Sequence, residues 1–84
     1  DKFGLDDLDR KLLAVLVENF GGGPVGLSTL AASVQEEAGT IEEIFEPYLM
    51  QLGLLSRTSQ GRIATDKTYE YLGIDREGDK NKLF

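Results

Sequence analysis

Apolar residues recur at helical spacing through the first quarter of the chain: Leu5, Leu8, Leu12, Val15, Leu16 and Phe20, with Leu13 and Val17 widening the stripe. Positions three and four apart share one face of an α-helix, so this spacing predicts an amphipathic helix over residues 6–19. Asp6, Asp7 and Asp9 stand at its start, where carboxylates cap free N–H groups and oppose the positive end of the helix dipole. Gly21-Gly22-Gly23-Pro24 ends it, because glycine takes the left-handed cap conformation and proline cannot continue a helix.

After an extended link at Val25, Gly26 and Leu27, Ser28 is the expected N-cap of a short second helix carrying Leu30, Ala31 and Val34. A turn over residues 36–39 follows. Thr40 and Glu43 then match the reciprocal capping pattern T-x-x-E, opening a third helix whose inward stripe is Ile41, Ile44, Phe45, Tyr48, Leu49 and Leu52. Pro47 lies inside this run; lacking an N–H, it predicts either a bend near the helix's first turns or a place close enough to the helix start to be tolerated. Gly53 is the stop. Beyond it the period shortens to two: residues 54–58 and 62–65 read as antiparallel strands about a Ser59-Gln60-Gly61 turn. Thr65 or Asp66 caps a last short helix bearing Tyr69 and Leu72, closed by Gly73.

Two short helices joined by a tight turn and followed by a β-hairpin predict a winged helix-turn-helix. The expected class is mainly α with a small β-hairpin sheet: a three-helix core, a wing, a short C-terminal helix, and the link at Val25 as a third strand. Residues 1–73 form the domain, and residues 74–84 are a polar C-terminal tail expected to be flexible or to dock only through Leu83 and Phe84. The expected shared core is Leu12, Val15, Leu16, Leu30, Ile44, Tyr48, Leu49 and Ile63.

Composition narrows the function. At 84 residues, 40% hydrophobic and 29% charged, the chain has apolar material for one small core. Without Cys or His it has no disulfide, no thiolate or imidazole metal site, and none of the usual activators of a nucleophile. No apolar run approaches the roughly 20 residues that span a bilayer, and no apolar leader opens the chain, so the expected setting is the cytoplasm, with no membrane contact.

The net charge of −6 opposes free-standing, non-specific binding to nucleic acid, but the charge is uneven. Residues 1–53 hold 3 basic and 10 acidic side chains, whereas residues 54–84 hold 6 basic and 5 acidic. Any nucleic-acid contact is therefore sought in the second part.

Residues 21–26 formally satisfy G-x-G-x-x-G, yet they follow a helix instead of a strand, in a chain too short for a parallel dinucleotide-binding sheet. They read as a helix terminator and tight link. No G-x-x-x-x-G-K-[ST] run is present, so no nucleoside triphosphate site is expected. The carboxylate pairs Asp6-Asp7, Glu36-Glu37 and Glu42-Glu43 fall on helix starts and turns, where capping and solvation account for them.

The third helix sits where a helix-turn-helix protein reads the major groove, but it begins with Glu42, Glu43 and Glu46 and has no Lys or Arg between Thr40 and Gly53. Such a surface repels phosphate. The hairpin is different: Arg57 and Arg62 flank the turn, Thr58, Ser59 and Gln60 are small donors, and Gly61 admits close backbone approach. These six residues suit phosphate contact without base reading.

Several motifs occur together: F-G-G-G-P-V-G at 20–26, T-I-E-E at 40–43 with E-P-Y-L at 46–49, and R-T-x-x-G-R-x-A-T at 57–65. With Gly4-Leu5, Asp9-Arg10, Thr29-Leu30-Ala31 and Tyr71-Leu72-Gly73, the chain resembles over residues 4–73 the C-terminal domain of the bacterial RuvB family of Holliday-junction branch-migration ATPases. The resemblance implies a ring-forming AAA+ motor whose ATP and Mg site lies in preceding domains, so that this domain has no catalytic residue, cofactor or metal of its own. It further implies a homohexamer of the parent protein, a RuvA-like junction-binding partner, and a winged helix facing the DNA arms of the junction. Arg57, Thr58, Gly61 and Arg62 carry over as wing residues near the DNA backbone. The family often has R-T-P-R-G-R here; Ser59-Gln60 replaces Pro-Arg and lowers the wing's charge. Two functions remain open: a DNA-backbone contact module of an ATP-driven motor, or a protein-interaction winged helix whose acidic helices meet a basic partner.

Overall fold

A computed structural model of the chain describes residues 4–74; the expectations for the tail from residue 75 onward lie outside them. The first helix, α1 (Asp7–Phe20), is opened by a reciprocal cap. The Asp9 N–H donates to Asp6 Oδ1 at 2.9 Å and the Asp6 N–H to Asp9 Oδ2 at 3.2 Å. The bond from the Asp9 N–H holds the Asp6 carboxyl below its ordinary value, whereas burial pushes Asp9 up against the bond from the Asp6 N–H. Gly21 ends the helix in the left-handed conformation, and the Gly22 N–H reaches back to the Leu16 carbonyl at 2.9 Å.

The second helix, α2 (Leu27–Ser33), starts two residues earlier than Ser28 as N-cap would have it. Gly26 is its N-cap and contributes no side-chain bond, with the Leu30 N–H donating to the Gly26 carbonyl at 3.0 Å. Gln35, with φ of 58°, turns the chain, and the Glu36 N–H closes on the Ala31 carbonyl at 2.9 Å. The turn is complete by Glu37, so the third helix begins at Ala38 and Thr40 lies inside it with helical φ and ψ; the T-x-x-E cap does not form.

The third helix runs without a break through α3 (Ala38–Thr40), a π-helical turn (Ile41–Phe45) and α4 (Glu46–Gln51). Pro47 sits in the first turn of α4 and offers no N–H to the Glu43 carbonyl. The Glu46 N–H bonds instead to the Ile41 carbonyl, five residues back. One extra residue in the turn rotates everything after it. Ile41 and Glu46 thus face the core together, with Leu49 three residues on. Ile44 and Tyr48, placed inward by a regular 3.6-residue period, are turned out and are 63% and 38% exposed.

The wing comprises β1 (Leu55–Thr58) and β2 (Gly61–Ala64), antiparallel, with Leu55 opposite Ala64 and Arg57 opposite Arg62. The expected third strand is reduced to one bridge between Val25 and Arg62. Pro24 has no N–H to donate and α2 starts at Leu27, so only Val25 can pair. The last helix, α5 (Asp66–Leu72), is capped by Thr65, and the buried Thr68 hydroxyl donates to the Leu54 carbonyl. Leu12, Leu16, Leu30 and Leu49 form the shared core with Leu13, Ile41 and Leu54, while Val15 packs partly against it and Ile63 is half-buried.

Candidate nucleic-acid interface

Arg57 and Arg62 face each other directly across the hairpin. Opposed like charges destabilise a strand pair, and Glu46 resolves the conflict from beneath. Its side chain, turned inward by the π-helical turn, is fully buried. Arg57 Nη2 donates to Glu46 Oε1 at 2.7 Å; Arg62 donates through Nε to Oε2 and through Nη2 to Oε1 at 3.2 Å. Burial pushes the Glu46 carboxyl up, but the bonds from Arg62 and Arg57 outweigh it and hold the group below the ordinary carboxylate value. The bond to Glu46 raises Arg62 above its ordinary value.

The cluster carries one net positive charge, and its two arginines are unequal. The Arg62 side chain is 13% exposed and held by two nitrogens; that of Arg57 is 44% exposed and held by one. Arg57 is therefore the more accessible of the two guanidinium groups, whereas Arg62 works as a strut between wing and third helix.

At the wing tip the Thr58 hydroxyl donates to the Gly61 carbonyl at 2.8 Å and accepts from the Gln60 N–H at 3.1 Å. Thr58, Ser59 and Gln60 are exposed, but Gly61 is buried. The close approach that Gly61 permits is that of Val25: with φ of +137°, a Cβ at Gly61 would stand 2.5 Å from the Val25 carbonyl oxygen. Backbone bonds between Val25 and Arg62, at 2.8 and 3.1 Å, fasten the glycine-rich link to the wing.

The G-x-G-x-x-G run acts in the same way. The Ala64 N–H donates to the Gly22 carbonyl at 2.9 Å, and a side chain at Gly22 or Gly23 would overlap the Tyr69 hydroxyl or the Arg62 carbonyl. It braces the hairpin against the end of α1. Among the described residues no group of His, Cys, Asp or Glu is arranged to hold a metal ion, and no helix is long and apolar enough to cross a membrane.

A family model, the RuvB C-terminal winged helix domain, matches residues 2–73. The chain belongs to this family. It is 51% identical over 87 residues to the Holliday junction branch migration complex subunit RuvB of Solibacter usitatus, covering 100% of this chain and 25% of that protein. To the same subunit of Dehalococcoides mccartyi it is 54% identical over 81 residues, 96% of this chain and 23% of that one. The solved Thermotoga maritima RuvB Holliday junction branch migration motor superposes with a TM-score of 0.88 at 52% identity, over 89% of this chain and 25% of that chain. The chain thus spans about a quarter of the length of the RuvB proteins it matches.

Within this RuvB-type winged helix, the hairpin residues selected from sequence lie together at the wing. Glu46, which organises them, is not singled out by the sequence pattern. Its only visible signals are its place before Pro47 and its charge, and neither reveals burial. The other described cations are spread out: Lys67 Nζ donates to the Leu52 carbonyl at 2.7 Å, Arg10 pairs with Asp7, and Lys11 is exposed on α1.

Proposed function

We propose that this chain is the DNA-contacting module of a longer, ATP-driven Holliday-junction branch-migration motor of bacteria, meeting the phosphate backbone at its wing without reading bases. ATP and Mg would be held by preceding domains of the parent protein. Six copies would form its ring, with a RuvA-like protein holding the junction. The bacterial cytoplasm is the setting that goes with this role.

The observation that carries the reading is Arg57: a half-exposed guanidinium on the wing, steadied by one bond to a buried carboxylate. A guanidinium held in place loses little freedom when its remaining N–H groups meet a phosphate. Ser59 and Gln60 sit beside it at the exposed tip as further donors. A motor that moves through any sequence needs this kind of contact, since phosphate bonds position a duplex and carry no base information. The acidic third helix is compatible with this role because a motor that moves through any sequence does not need that helix to read bases.

Arg57→Ala in the full-length motor tests the reading. Binding to junction DNA across a salt series should lose about 0.9 from the log–log slope per contact removed, equally for unrelated sequences. Branch migration should fall with it. If the variant binds and migrates junctions like the parent at every salt concentration, the wing is not the DNA contact. The protein-interaction reading then moves ahead.

A further inference from the structure

We infer that the outer face of the third helix, centred on Ile44 and Tyr48, is the seat of the polypeptide that precedes this domain in the longer protein. Ile44 and Tyr48 lie one turn apart and, with Met50, are the exposed large hydrophobic side chains among the described residues. Pro47 is exposed on the same helix. In a DNA-reading helix-turn-helix this face enters the major groove. Here its start carries the exposed carboxylates Glu42 and Glu43, and the helix has no cation, so a groove lined with phosphate is excluded by charge and a protein surface is favoured.

The occupant follows from where the chain arrives. The family is that of a C-terminal domain, and this chain spans about a quarter of its relatives, so in a protein of that design most of the polypeptide precedes Gly4. The arriving segment is fixed beside the apolar face. A Cβ on Gly4 would stand 3.3 Å from the Tyr48 hydroxyl, Leu5 is buried in the core, and Arg10 Nη1 donates to the Leu5 carbonyl at 3.0 Å. A tethered domain meets its neighbour at high effective concentration, so a patch of two or three apolar side chains is enough to hold it. Glu42 and Glu43 at the edge call for Lys or Arg around the apolar centre of the facing surface. This inference does not depend on the wing reading: Arg57→Ala leaves the face untouched, and loss of either result leaves the other standing.

Carbene or hydroxyl-radical footprinting of Tyr48 in the full-length protein, as wild type and as Ile44→Asp, provides the test, with limited proteolysis just before Gly4 as a second readout. Ile44 is mostly exposed within the domain, so hydrogen exchange in α1 should be unchanged in the variant; Ile44→Ser replaces it if Asp disturbs the helix. We expect several-fold more labelling of Tyr48 and faster cleavage in the variant, and wild-type behaviour in Ile44→Leu. Equal labelling and cleavage in wild type and variant would overturn the inference. Shielding of Tyr48 that appears only on self-assembly would also overturn it, assigning the face to a second copy. Shielding that appears only with added DNA would overturn it in favour of the duplex.

Discussion

Replacing Glu46 with Gln removes one charge while keeping size and shape, and its effect can be worked out from the cluster. Gln still offers a carbonyl to one arginine, but its amide N–H₂ faces the guanidinium donors that Oε1 and Oε2 now satisfy. Arg62, only 13% exposed, is left as a largely buried cation that has lost its bonded carboxylate and keeps only the more distant attraction of Glu42. Breaking one side of a buried pair costs about 3–5 kcal/mol, and the retained carbonyl places Gln near 3. Against a total of roughly 5–15 kcal/mol for a domain, that is a large fraction. For a chain of this size it corresponds to a fall of roughly 12–24 °C in Tm.

Urea unfolding followed by circular dichroism measures this directly, as a lower midpoint with unchanged slope. The pH dependence gives an independent check. Because the folded carboxyl is held below its unfolded value, its contribution is fully present above the unfolded pKa of about 4.3 and is lost as pH falls through the lower folded value. Glu46→Gln should therefore show a smaller acid-induced loss than wild type across that window. A change of less than about 0.5 kcal/mol, within the range of ordinary surface substitutions, would refute a buried, doubly paired Glu46.

Gly61→Ala should destabilise by about 2 kcal/mol or more, because the added Cβ meets the Val25 backbone and the residue must hold a strongly positive φ. Gly39→Ala, in open space within a helix, should stabilise by about 0.5–1 kcal/mol; thermal melts of the pair separate local crowding from a general intolerance of glycine replacement. Calorimetric titration of this chain with ATP should show no binding heat, and micromolar affinity would mean that the glycine run at 21–26 is more than a brace.

Much of this fold is written locally. The apolar stripe and Asp caps of α1, the glycine stop after it, the hairpin turn at Ser59-Gln60 and the Thr65 cap all depend on residues within a turn of one another, and all are legible in the chain. Leu16 could be assigned to the core because it lies on a face defined by its neighbours; Leu49 is buried as its stripe predicts, although Ile44 and Tyr48 of that stripe are not. The site is another matter. Pro47 signals a disturbance in the third helix, but whether the helix bends, breaks or takes in an extra residue depends on what packs against it. The π-helical turn forms where it places Ile41 and Leu49 in the core and brings Glu46 under two arginines 11 and 16 positions away. That exchange turns Ile44 and Tyr48 out to solvent against their own periodicity. A carboxylate followed by proline looks like any solvated helix start until the opposing guanidinium groups are present, because the energy that buries it comes from charges distant in sequence. Only the tertiary structure could decide which acid on this acidic helix goes inside and which of the two wing arginines bound to it stays the more exposed.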